Sequence, residues 1–438
     1  MQRRFGTTTA SARRAAGAPA AARAAPPPPP PPFARRDLVP LGASGLLVSP
    51  LGFGTWAWGN RLLWGYDPQR DDGRLAAAFS RAAELGVNLW DTGDSYGTSL
   101  PGGGGRGGSG GARKDGGGGA APGVQDGRAE ALLGEFDRAA QARAATRPGG
   151  GGGWPWQPRP AAPARAIVAT KLAAYPWRVT PEATVAAARA SRRRVAGLGA
   201  AAAADDDDDD SLPPLGVAQA HWSTANYQPL QERAQLEGLA RVYEQGIARA
   251  VGLSNYGPRE LERACDFFER RVGCLPAVAQ IQWSLLSDGA EQRDAAAFCA
   301  ARGITLVGYS PLALGALSGR YDGGGGGGPN AAAAAPLPPG LRGFLLKGIL
   351  KKASPLLACV RAVGAERGKT PAQVAIAWVR AQGAVPIPGA KSAAQVDEAV
   401  GAVAGWPGLS RAELDELASA ARACKAGRLM PRNVFQTR

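Results

Sequence analysis

The chain has 438 residues, 45% of them hydrophobic, and carries a formal net charge of +15 at pH 7. That length and apolar content suit one large or two medium globular domains, and no apolar run approaches the ~18 residues that cross a bilayer, so no membrane span is expected. Seven arginines and no acidic residue occupy positions 1–36, leaving about +8 for the rest of the chain, which lacks the arginine stripe interleaved with aromatics that marks a nucleic-acid surface.

Those first 36 residues are rich in Arg, Ala, Ser and Thr and end in Pro26–Pro32, the composition of an organelle transit peptide that is cleaved or disordered. A chloroplast is the preferred destination, a mitochondrion the second and a plain low-complexity tail the third. Next, alternating apolar residues over 38–51 around Gly42-Ala-Ser-Gly45 predict a β-hairpin. Apolar strand-like runs then alternate with helix-period segments. Strands are expected at 51–56, 87–92, 166–172, 216–222, 248–255, 277–284, 305–310 and 384–388. Helices are expected at 73–85, 128–143, 181–195, 230–245, 258–271, 291–302 and 371–382, with another starting near Ser392.

Eight strand-helix alternations with buried strands predict a closed (β/α)8 TIM barrel over residues 37–438. An open doubly wound sheet is the alternative, but no Gly-x-Gly-x-x-Gly follows the first strand. Segments near 102–123, 148–163, 200–210 and 323–339 are so rich in Gly, Pro, Ala or a single charge sign that they are assigned to flexible surface insertions. The Asp205–Asp210 run among them reads as solvated, and Arg192–Arg194 as a solvated helix face. The five cysteines (Cys265, Cys274, Cys299, Cys359, Cys424) contain no Cys-x-x-Cys pair and are read as reduced, with neither a disulfide framework nor a metal site.

In such a barrel the carboxyl ends of the strands converge on one face. Asp91 ends the second strand, Lys171 the third and His221, the only histidine of the chain, the fourth; Tyr96 lies in the loop after the second. A phenol is a weak acid at neutral pH, and a neighbouring ammonium lowers its pKa. Lys171 is therefore expected to activate Tyr96 as a general acid, Asp91 to hold Lys171, and His221 to polarise a carbonyl oxygen. Each residue has a duller reading: a turn, a loop aromatic, a solvated strand end or a satisfied core histidine. Their joint placement at three successive strand ends favours catalysis.

Other strand ends suit ligand contacts. Ser254 and Asn255 offer groups for a carboxamide, although Asn255 also suits a helix N-cap. Tyr309 offers a face for stacking. The segment 310–320, ending in Arg320, offers backbone N–H groups and a guanidinium for a phosphate. Lys391 precedes a helix start, a favourable place for an anion.

The blocks Asp-Thr-Gly-Asp-Ser-Tyr-Gly (91–97), Ala-Thr-Lys (169–171), Gln-Ala-His-Trp (219–222), Val-Gly-Leu-Ser-Asn-Tyr (251–256), Ala-Gln-Ile-Gln-Trp-Ser-Leu (279–285), Gly-Tyr-Ser-Pro-Leu (308–312) and Pro-Ile-Pro-Gly-Ala-Lys (386–391) stand in order. With them the chain resembles the aldo-keto reductase family, from about Leu38 to about Ala420. The segments 54–59 and 169–178 look most like plant and algal plastid members. The resemblance implies metal-free reduction of aldehydes or ketones with NADPH, on a small-molecule carbonyl substrate. It implies Tyr96 as proton donor, with Lys171, Asp91 and His221 in the roles above. It further implies Ser254, Asn255 and Gln280 at the carboxamide, Tyr309 against the nicotinamide, and Ser310, Leu312, Gly315 and Arg320 along the pyrophosphate. Gly389, Lys391 and Gln395 are then expected at the cofactor too, the last two at the 2′-phosphate. The second functional reading is an NADPH-binding regulatory subunit that senses redox state and turns over slowly.

Overall fold

A short antiparallel ladder opens the fold, β1 (Val39–Pro40) pairing with β2 (Leu47–Val48). The computed structural model describes residues 32–97, 127–146, 164–198, 211–321 and 335–430. Eight parallel strands follow the ladder: β3 (Phe53–Gly54), β4 (Leu89–Asp91), β5 (Ile167–Leu172), β6 (Leu215–Ala220), β7 (Ala248–Ser254), β8 (Val278–Gln282), β9 (Thr305–Tyr309) and β10 (Val385–Ile387). They pair strictly in sequence order. The N–H groups of Gly52 and Gly54 donate to the carbonyls of Pro386 and Pro388 at 3.0 Å, and Gly54 bridges Gly389, so the last strand returns to the first and the sheet closes. The architecture is the (β/α)8 barrel expected, and closure removes the doubly wound alternative.

The helices are α1 (Arg61–Trp64), α2 (Pro68–Glu84), α3 (Arg128–Thr146), α4 (Pro181–Ala196), α5 (Pro229–Glu244), α6 (Pro258–Val272), α7 (Ala290–Arg302), α8 (Gly340–Lys352), α9 (Ser354–Glu366), α10 (Pro371–Ala381), α11 (Ala393–Val400) and α12 (Arg411–Ala423). Local chemistry explains most boundaries. Proline, whose fixed φ suits the first helical turn, begins α2, α4, α5, α6 and α10. Asp67, Thr180 and Thr370 accept hydrogen bonds from first-turn amides. Helices α8, α9 and α12 lie beyond the sequence expectation. The first two follow a Gly/Ala/Pro segment and carry few capping side chains to announce them.

Leu41, Leu46 and Val48 of the hairpin pack with Leu89, Ala169, Val217, Ala250 and Val307, filling the amino-terminal end of the barrel with apolar side chains. The hairpin is fixed there at Gly42, whose amide donates to Thr305 Oγ1 at 2.7 Å. Its φ is +53°, and a Cβ would sit 2.6 Å from the Ala277 carbonyl oxygen, so only glycine fits. The carboxyl end is left for chemistry.

The expected leader over 1–31 and the insertions near 102–123, 148–163 and 200–210 lie outside the described residues, as do 322–334. The described residues include the last five of the expected leader, 32–36. The Phe33 amide donates to the Leu85 carbonyl at 2.9 Å and its side chain packs against the core, while Arg35–Asp37 forms an exposed 3-10 turn. Likewise Ala335, inside the fourth expected insertion, donates to the Arg320 carbonyl at 2.9 Å. No helix among the described residues is long and apolar enough to cross a membrane.

Candidate active site

Strands β4 and β5 run side by side in the register Asp91 beside Ala169, which brings the two strand ends together. Lys171, 1% exposed, projects its ammonium onto both Asp91 carboxylate oxygens, at 2.7 and 2.6 Å. Asp91 Oδ1 also accepts from Gln280 Nε2 at 2.7 Å. A carboxylate with three donors is a well-satisfied buried anion. Burial nonetheless holds the Lys171 pKa below its ordinary value, against the opposing pull of Asp91.

The Lys171 ammonium stands 4.9 Å from the centroid of the Tyr96 ring, over its face. The ring meets His221 edge to face, with centroids 5.8 Å apart. All four expected catalytic residues therefore gather at one mouth. The expected activation of the phenol differs from what the structure gives. Burial first, and then the negative charge of Asp91, push the Tyr96 pKa well above 10. Lys171 does not reverse this, because its ammonium is held in double contact with the Asp91 carboxylate. His221 moves the other way, held well below 6.5 by burial and then by the Lys171 charge, so its imidazole is neutral at physiological pH. Ser95 Oγ lies 3.3 Å from its Nδ1.

The remaining expected residues spread around the same mouth. Asn255 has φ +62°, donates from Nδ2 to the His221 carbonyl at 2.9 Å and to Ser254 Oγ at 3.2 Å, and accepts from the Tyr309 hydroxyl at 2.9 Å. It thus ties the ends of β6, β7 and β9, and does not cap α6, which begins beyond Gly257. Gln280, expected at a carboxamide, has its amide donor committed to Asp91. After β9, Ser310, Ala313, Leu314 and Gly315 all have positive φ, a contorted turn of the kind that lines ligand phosphates, with Leu312 half-buried inside it and Arg320 exposed at its end. Gly389 follows β10 at the seam. The Lys391 amide donates to Gln395 Oε1 at 2.8 Å, and Ser392 caps α11.

Around Lys391 the structure adds residues that the sequence did not announce. The ring of Trp64 has Arg342 4.2 Å from its centroid and Lys391 5.4 Å from it. Arg342 Nη2 donates to the Leu314 carbonyl at 2.9 Å, while its Nε and Trp64 Nε1 are buried without a hydrogen-bond partner. Burial, Arg342, Arg74 and Arg70 all hold the Lys391 pKa down, with Asp71 alone opposing. An anion placed there would meet excess positive charge at a helix N-terminus and two orphaned donors.

Residues 50–422 match the sequence model of the Aldo/keto reductase family. The chain belongs to that family. It is 40% identical to the chloroplastic pyridoxal reductase of Arabidopsis thaliana over 90% of this chain and 88% of that protein. An uncharacterized oxidoreductase of Mycobacterium bovis is 27% identical over 86% of this chain and 90% of the relative. Among solved structures, a thermostable aldo-keto reductase in complex with the inhibitor epalrestat aligns with a TM-score of 0.54 at 19% identity, covering 87% of this chain and 99% of that one. An aldo-keto reductase complexed with NADPH gives 0.52 at 18% identity, covering 87% of each chain. The family membership makes the chain an oxidoreductase, and the structural matches carry the barrel fold.

Proposed function

We propose that the chain is an NADPH-dependent carbonyl reductase in which Tyr96 donates the proton. The observation that carries this reading is the gathering of Tyr96, His221 and the buried Lys171–Asp91 pair at the carboxyl ends of three strands. Bound NADPH would supply the hydride. The residues present fit a phosphorylated dinucleotide. The cations Lys391 and Arg342 at Trp64, with the charges of Arg70 and Arg74 felt at Lys391, suit its adenosine phosphate, with Gln395 alongside, and the positive-φ turn from Ser310 to Gly315 suits its pyrophosphate, with Arg320 at the rim. Ser254, Asn255 and Tyr309 fall to the carboxamide end. Gln280 is better assigned to supporting Asp91, through its 2.7 Å hydrogen bond.

Tyr96 has a raised pKa and therefore keeps its proton throughout the neutral range. As negative charge develops on a substrate oxygen, that oxygen becomes basic enough to take the proton, and Lys171, paired with Asp91 beside the ring, offsets part of the repulsion that the carboxylate exerts on the phenolate left behind. Neutral His221 donates a hydrogen bond to the same oxygen and holds the carbonyl in line. Tyr175, Trp177 and Trp222, on the loops after β5 and β6, give the mouth aromatic walls suited to a planar substrate. Because a chloroplastic pyridoxal reductase is 40% identical over 90% of this chain, pyridoxal is the proposed substrate and a plastid the proposed compartment.

The test is Tyr96→Phe. Its kcat with pyridoxal is expected to fall by a factor of about 10²–10⁴, while NADPH binding, followed by nicotinamide fluorescence, stays at the wild-type level. Equal turnover by the two proteins refutes the assignment.

A further inference from the structure

His221 enters the site from a backbone fixed on both sides. Its amide donates to the Leu172 carbonyl at 3.1 Å, and its carbonyl accepts from Asn255 Nδ2 at 2.9 Å. What remains free is the ring: its rotation, and which nitrogen carries the single proton of a neutral imidazole. Only a ring protonated at Nε2 can donate to a substrate oxygen from the edge opposite Nδ1.

Among the described residues, the polar side chain hydrogen-bonded to that ring is Ser95, with Oγ 3.3 Å from Nδ1. Its own position is unusually well set. Next to it in sequence, Asp94 is 5% exposed and clasps the β4 loop to the end of β5 through three residues. The Asp94 amide donates to the Lys171 carbonyl at 2.9 Å, its Oδ1 accepts from the Ala173 amide at 3.1 Å, and its Oδ2 accepts from Arg178 Nη1. Arg178 is held in turn by the Ala173 carbonyl, at 2.9 Å, and lies against the Tyr175 ring. On the other side, the Tyr96 amide closes a turn onto the Gly93 carbonyl at 3.0 Å. Ser95 thus sits between an anchored acid and the phenol, its hydroxyl turned to the imidazole.

We infer that Ser95 is a positioning residue that donates its hydroxyl hydrogen to His221 Nδ1, so that the imidazole proton resides on Nε2 and faces the substrate, and that the Asp94–Arg178 pair is what holds Ser95 to this task. The inference rests on the reading of His221 as donor to the carbonyl oxygen. A serine hydroxyl can donate or accept, but a donor role is the one that leaves the productive proton on Nε2. The Asp94–Arg178 clasp lends the loop the rigidity that one neutral hydrogen bond lacks.

The chain holds one histidine, so selective ¹⁵N-histidine labelling gives one pair of imidazole nitrogen signals without overlap. In the NADP-bound protein the expected result is an unprotonated, hydrogen-bonded Nδ1 and a protonated Nε2. Ser95→Ala is expected to move the Nδ1 signal toward that of a bare pyridine-type nitrogen and to lower kcat about fivefold, the worth of one neutral hydrogen bond, with KM for NADPH unchanged. Ser95→Thr restores both. A proton on Nδ1 in the wild type, an Nδ1 signal unmoved in Ser95→Ala, or an undiminished kcat in that variant overturns the inference. His221→Gln separates the two claims. Unaltered kcat there removes the His221 reading along with this one, whereas a crippled His221→Gln beside an unmoved Nδ1 signal removes this one alone.

Discussion

Replacing Asp91 with Asn tests how the buried ion pair is built. The Asp91 and Lys171 side chains are 5% and 1% exposed, and every donor around the carboxylate, two contacts from Lys171 and one from Gln280, points inward. An asparagine keeps the shape but offers one oxygen to three donor contacts and turns its own NH2 toward one of them, leaving the ammonium buried without a counter-ion. Removing one partner of such a pair costs about 3–5 kcal/mol. The cost should depend on pH in a definite direction. Burial already holds the Lys171 pKa below 10.5, and losing Asp91 lowers it further. Between the folded pKa and 10.5 the unfolded chain binds a proton that the folded chain does not, so stability rises with pH there, by up to about 1.4 kcal/mol per unit. The deficit of Asp91→Asn against wild type is thus larger at pH 6 than at pH 9, as the stranded lysine gives up its proton with rising pH. Chemical denaturation of both proteins at pH 6, 7.5 and 9 measures it. Adding Lys171→Met to the variant removes the stranded charge and should recover about half the loss or more. A deficit under about 1 kcal/mol, or one that stays constant over this range, refutes the reasoning.

Two further outcomes follow from the same geometry. Lys391→Met should raise KM for NADPH about tenfold to a hundredfold, the worth of a charge-assisted hydrogen bond to phosphate, and leave KM for NADH unchanged; parallel initial-rate series with the two cofactors decide it. Because His221 is held well below 6.5 and Tyr96 well above 10, kcat should be flat from pH 6 to 8, and a limb with its midpoint near 6.5 would contradict the neutral imidazole.

The barrel was legible because each strand is a short apolar run stopped by a polar residue that needs the mouth: Asp91, Lys171, His221, Ser254. Burial on both faces writes parallel strands into sequence in this form. Helices α8 and α9 were not legible, because the segment before them is compositionally bland and they begin without a polar N-cap side chain. Arg342 was missed for a related reason. Nothing near it in sequence marks it, and only the fold carries it onto Trp64 beside Lys391. Asp94 and Ser95 sat inside a motif already singled out, but their partners Arg178 and His221 lie 84 and 126 positions away. The direction of the Tyr96 shift was unreadable for a different cause. Sequence names the charges present, whereas burial and the commitment of Lys171 to Asp91 decide which of them the phenol feels.

The hairpin at the amino-terminal end has a consequence for traffic. With Leu41, Leu46 and Val48 wedged among the strand residues there and Gly42 pressed on Ala277, the described residues plug that end of the barrel. Among the described residues, that packing leaves the carboxyl ends of the strands as the side from which Lys171 and Tyr96 are approached.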